Sequence, residues 1–268
     1  MTTATLSPST ASSRGTGWRG FGTLLTTESR LWLRDAGTVF FSLAFPTVLL
    51  LGVGFAIPGM RDPIEGAGGA WEGLTAIATY VPVVLAAAIA TPALTTMPVY
   101  FATFREKGVL RRLSTTPMRP QGIVVAHLVI NLVAVVAATA VALVVGSFVF
   151  DVPAPRNVGT VALAFVLAVL AMLSLGTVVA ARAPKASTAS AIGTLIYFPM
   201  LFLSGLWTPG PVMPDAVREV GQYTPLGAAA QAMTAGWFED GVPTLQLVVM
   251  AAWTAVLLPL GVKLFRWS

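Results

Sequence analysis

Six long apolar runs, none containing Asp, Glu, Lys or Arg, alternate with polar stretches along this chain. They lie at about Gly37–Ile57, Gly73–Phe101, Gly122–Val149, Asn157–Ala181, Ala186–Trp207 and Val242–Val262. A helix needs ~20 residues to cross a hydrocarbon core of ~30 Å, and every run is long enough. Lipid offers the backbone no hydrogen-bond partners, so the runs are expected to be helices. The pattern therefore predicts an all-α integral membrane protein with six transmembrane helices.

The segments between the runs differ in kind. Residues 1–20 are rich in Ser, Thr and Gly and lack the apolar core of a signal peptide, which reads as a disordered cytoplasmic tail. Residues 21–268 then form one transmembrane domain. Between Phe21 and Asp35, the residues Phe21, Leu24, Leu25, Leu31 and Trp32 recur at helical spacing, with Glu28, Arg30 and Arg34 as polar positions. This fits an amphipathic helix in the membrane interface, or a plain helical lead-in to the first span. Pro46 falls inside the first span, and Pro82, Pro92 and Pro98 fall inside the second, which is expected to be kinked. Pro209 to Gly241 is too broken by Pro and Gly for a span. It reads as one or two short helices, dipping into the outer leaflet or lying on it, or as a surface loop.

Composition supports the membrane reading. Of 268 residues 56% are hydrophobic and 10% charged, and mean hydropathy is +0.80. A soluble domain carries about 25% charged residues. The net charge of +5 does not point to nucleic acid, because the basic residues flank apolar runs and no nucleic-acid module accompanies them. There are no cysteines, which excludes disulfides, thiol catalysis and Cys-ligated metals. If both termini are cytoplasmic, 13 of the 16 basic residues fall on the inner side and only Arg61, Arg156 and Arg218 outside. Trp32 and Trp267 then sit at the inner edge, and Trp71, Trp207 and Trp237 at the outer one.

Candidate chemistry is sparse within the runs. An ion-driven carrier usually keeps an ionisable group in the membrane. The single candidate is His127, which reads either as a proton site of a secondary transporter or as a satisfied polar residue near the headgroups. Asn131, one turn deeper, reads as interhelical glue or as part of a substrate path, for which Met200 and Phe202 are the other candidates. None of the three lysines is followed by Ser or Thr, so there is no P-loop. Energy would then enter from outside the chain. The place to receive it is the charged patch between the second and third runs, Arg105-Glu106-Lys107-Gly108-Val109-Leu110-Arg111-Arg112-Leu113. It is expected to form a short cytoplasmic helix from Arg105 to Leu113, stopped by Thr115-Thr116-Pro117. An ordinary positive-inside loop is the other reading, and a non-transporting membrane scaffold is a third class for the whole chain.

The patch, with Thr116-Pro117 behind it, resembles the coupling signature of ABC-2 type permeases, membrane subunits of many bacterial ATP-binding-cassette exporters. Val109 stands where Thr is usual. The stretch Phe198-Pro199-Met200-Leu201-Phe202-Leu203-Ser204-Gly205, followed by Pro209, Met213-Pro214 and Tyr223-Thr224-Pro225-Leu226, resembles the same family, most nearly its daunorubicin-resistance type. The resemblance implies a coupling helix on which a separate cytoplasmic ATPase acts. ATP and Mg would be held by that subunit, and no cofactor by this chain. It implies a second permease copy, a bacterial plasma-membrane location, and export of a hydrophobic or amphipathic compound. Glu106 and Gly108 match the signature, Glu106 as a helix start or partner contact and Gly108 as a close-packing point. Arg105, Lys107, Arg111 and Leu113 are further candidates for ATPase coupling.

Overall fold

The computed structural model describes residues 20–66, 68, 71–109, 121–208 and 213–264. Helix α1 (Phe21–Arg34) precedes six helices long and apolar enough to cross a membrane. These are α2 (Ala36–Ala56), α3 (Ala76–Glu106), α4 (Gly122–Phe150), α5 (Val158–Arg182), α6 (Ala186–Leu203) and α9 (Thr244–Leu264). Two shorter helices, α7 (Asp215–Gly221) and α8 (Pro225–Phe238), lie between α6 and α9. The six runs read from the sequence correspond to these six long helices. The tail expected over residues 1–20 lies outside the described residues except for Gly20.

Helix α1 ends at Asp35, whose backbone is extended and whose carboxylate caps α2. It accepts from the Thr38 amide at 3.2 Å and the Thr38 hydroxyl at 2.8 Å. The first hydrogen bond satisfies an N-terminal amide that a helix start otherwise leaves unpaired. Those bonds also hold the Asp35 carboxyl below its ordinary range. Helix α1 packs on α4 through Phe21 and Leu24, which lie beside Gly122. The amphipathic pattern misplaced one residue. Glu28, read as a polar position, is buried.

Helix α3 is the centre of the bundle. Its most apolar stretch is wholly buried, and α2, α4, α5, α6 and α8 all pack on it. Lipid removes the hydrophobic drive for helix association, so close packing must supply the attraction. The small residues Ala86, Ala87, Ala88, Ala90 and Ala93 of α3 permit that approach and are all fully buried.

The prolines of α2 and α3 do more than bend them. In each helix one turn widens to a π turn just before a proline. Phe40–Ala44 precedes Pro46, and Pro92–Thr96 precedes Pro98. The residue before each proline donates five residues back, Phe45 to Phe40 and Met97 to Pro92. A proline has no N–H and its ring crowds the carbonyl four residues earlier. Widening the turn relieves that crowding without breaking the helix. In α3 the carbonyls of Ala93 and Leu94 then reach two neighbouring glycines. A Cβ on Gly176 of α5 would overlap the Ala93 carbonyl, and one on Gly193 of α6 would overlap that of Leu94.

The Pro209–Gly241 segment holds α7 and α8, and α8 does not lie on a surface. It packs against α5, against the first half of α3 and against α9, with most of its residues buried. Thr224 caps it by accepting from the Gly227 amide at 3.1 Å, with Pro225 in the first turn. Polar bonds close this end of the bundle. The Trp237 indole donates to the Pro153 carbonyl at 2.8 Å, and the Tyr80 hydroxyl donates to the Leu206 carbonyl at 2.6 Å.

Candidate functional site

The charged patch begins as the last turn of α3. The separate short helix expected from Arg105 does not start there, because α3 continues without a break to Glu106. Its inward residues Met97 and Phe101 still pack on Ile123 of α4 and Ala180 of α5. Ala102 packs on Ala183 and Ala189. That packing carries the helix five residues past the apolar run. Lys107 caps the helix, and Gly108 takes a left-handed backbone with φ +65°. An L residue with a side chain rarely adopts that conformation, so glycine is suited to this stop. No described atom lies within 4 Å of a Cβ built at Gly108. Its left-handed backbone reverses the chain at this point. Val109, the last described residue before 121, is half-buried. Arg111 and Leu113 lie outside the described residues.

Arg105 reaches toward the end of α5. Its guanidinium donates to the carbonyls of Ala183 at 2.6 Å and Ala180 at 3.0 Å. Those are among the last carbonyls of α5, which have no partner within their own helix. A cation at a helix C-terminus contributes about 0.3–2 kcal/mol, with partly buried sites at the upper end. Arg105 thus fastens the end of α3 to the end of α5. Glu106 and Lys107, the next two residues, are exposed.

One turn earlier, Tyr100 fastens the same helix to α1. Its hydroxyl donates to the buried carboxylate of Glu28. Its ring stacks on His127 of α4 with centroids 3.5 Å apart, and lies 4.2 Å from that of Phe104. The end of α3 is therefore held from two sides before it emerges as the exposed Glu106–Lys107 turn. Neither Tyr100 nor Glu28 was legible as a site residue. A lone acid in an amphipathic pattern reads as surface, and only the fold brings a hydroxyl to it across 72 positions.

The other candidates do not converge on this turn. His127 is buried, and its Nδ1 has no hydrogen-bond partner among the described residues. Asn131 donates to the His127 carbonyl within its own helix at 2.8 Å, which is not an interhelical bond. Met200 and Phe202 sit near the far end of α6, Phe202 half exposed beside Trp207. Asn131 is on α4 near the Glu106 end, so the three stand at different depths of the bundle. Along the outward side of α6, Ser187, Ser190 and Thr194 run toward Leu195, Phe198 and Phe202.

Six membrane-length helices, one of them buried at the centre and ending in a charged turn tied to its neighbours, define a polytopic membrane protein. The chain belongs to the ABC-2 type transporter family, whose profile matches residues 19–238, from α1 to the end of α8. The chain is thus a membrane component of an ABC transporter. No curated protein matches it.

Proposed function

We propose that this chain is the permease subunit of an ATP-driven exporter, and that the Glu106–Lys107 turn receives the stroke of a separate cytoplasmic ATPase. The carrying observation is that the most buried helix of the bundle ends in the exposed charged turn, just past Arg105 and Tyr100. A push on that turn moves α1 and α5 together with α3. Packed helices respond to such a push by rigid-body rocking rather than by continuous deformation.

The charge distribution supports an orientation with both termini and this turn in the cytoplasm of a bacterial cell. Hydroxyls on the outward face of α6 support pairing of that face with a second copy, the cargo passing between the two. An apolar interior with few ionisable groups suits a hydrophobic or amphipathic cargo, in the manner of drug-export permeases. ATP and Mg²⁺ belong to the partner subunit.

The test is transport in proteoliposomes. The chain alone hydrolyses no ATP, and with its ATPase subunit it shows cargo-stimulated hydrolysis. Glu106→Ala lowers that stimulation at least about fivefold, the lower end of ordinary coupling energies, while inserting normally. Export by the chain alone on a pH gradient would instead make it an ion-driven carrier.

A further inference from the structure

Under the elbow between α1 and α2 lies a cavity of about 80 Å³ that the exporter reading does not use. Three buried polar atoms of its wall have no hydrogen-bond partner among the described residues: Trp32 Nε1, His127 Nδ1 and Asn131 Oδ1. His127 and Asn131 are only 3% and 2% exposed. Each unmade bond costs ~1–3 kcal/mol when the group is buried. Three of them around one cavity call for an occupant. One water needs ~10–15 Å³ of such space, so the cavity holds more than one water.

The atoms specify the occupant's chemistry. An indole N–H only donates, so Trp32 requires an acceptor. The Asn131 amide nitrogen is already used on the His127 carbonyl, so its oxygen requires a donor. Asp35 and Tyr100 form other parts of the wall, and the negative charge of Asp35 favours a cationic donor. Acceptor and cation together describe the phosphate and ammonium of a zwitterionic headgroup. Trp32 also walls a second, apolar cavity of about 320 Å³ with Leu25, Leu33, Leu43, Ile130 and Val133. Leu33 and Val133 are each 62% exposed, so that slot opens outward at the level of the amphipathic helix. A polar pocket and an apolar slot that share one tryptophan suit an amphiphile, whereas water would fill only the first.

We infer that the elbow holds one ethanolamine phospholipid as a resident lipid. Its ammonium lies at Asn131 Oδ1 and Asp35, a phosphate or ester oxygen accepts from Trp32 Nε1, and one acyl chain runs along the apolar slot. The full chain, reconstituted with equal amounts of phosphatidylethanolamine, phosphatidylglycerol and phosphatidylcholine, is read by native mass spectrometry. The ethanolamine lipid is retained at least about fivefold over the others; Asn131→Leu brings the three to parity, and Trp32→Phe, which removes the donor to an oxygen that all three lipids share, lowers the retention of all three. Choline carries no N–H to give Asn131, which separates its lipid from ethanolamine. Should Asn131→Leu fail to fold, Asp35→Asn takes its place, since it keeps a capping oxygen for α2 and removes the charge that faces the ammonium. Equal retention in the wild type, or unchanged retention of every lipid in Trp32→Phe, overturns the site and leaves a hydrated cavity. Displacement of the lipid by soluble phosphoethanolamine at equal concentration overturns the role of the slot. The assay needs neither ATP nor cargo, so its result stands apart from that of the exporter reading.

Discussion

Gly176 and Gly193 have no side chains where the widened turn of α3 presents its carbonyls. Overpacking of a tight interior typically costs about 1–3 kcal/mol. Gly176→Ala and Gly193→Ala should each lower the thermal midpoint followed by tryptophan fluorescence. Gly52→Ala, with open space around its Cβ, should leave it unchanged. Arg105 gives a second residue-scale prediction. Arg105→Leu removes both bonds to α5 and should reduce ATPase stimulation severalfold. Arg105→Lys, which keeps the charge and a donor, should retain part of it. Equal losses in both variants would mean that the planar guanidinium, rather than the charge, is what matters. Tyr100→Phe, which removes only the donor to Glu28, should loosen α1 and raise hydrogen exchange there.

At the scale of the element, the proline-linked π turn makes a distinctive prediction. In Pro98→Ala the returned N–H lets the turn revert to α geometry and withdraw the Leu94 carbonyl. The Gly193→Ala penalty should then shrink in the double variant, with a coupling of about 0.5–3 kcal/mol in a mutant cycle. Additive effects would show that the turn does not depend on Pro98. The sequence made the kink legible because proline carries it locally. It did not reveal the π form, which depends on where the freed carbonyls find room, namely the glycines of α5 and α6. The six long helices were legible for a similar reason, since lipid demands an unbroken apolar run. Helix α8 was legible only in part. The sequence allowed one or two short helices in this segment, but their burial among α3, α5 and α9 follows from tertiary contacts that the local pattern does not carry. The end of α3 was misjudged because Arg105 and Glu106 look like the start of something polar. Tertiary contacts of Phe101 and Ala102 carry the helix on to Glu106 instead.

For the whole molecule the account is one of connection. The buried helix α3 touches nearly every other span and leaves the bundle through a turn tied to α1 and α5. Force applied there is shared among three helices at once. That is the physical content of a permease that lacks a nucleotide motif of its own and belongs to the ABC-2 type transporter family. The absence of cysteine in the chain makes the turn addressable without background labelling. The most direct measurement is a single cysteine placed at Lys107, in membranes containing the cognate ATPase subunit. The account predicts a cross-link to that ATPase whose yield changes with bound nucleotide, and protection from membrane-impermeant maleimide in intact cells. Labelling of Lys107→Cys from the cell exterior, with no cross-link to the ATPase, would contradict it.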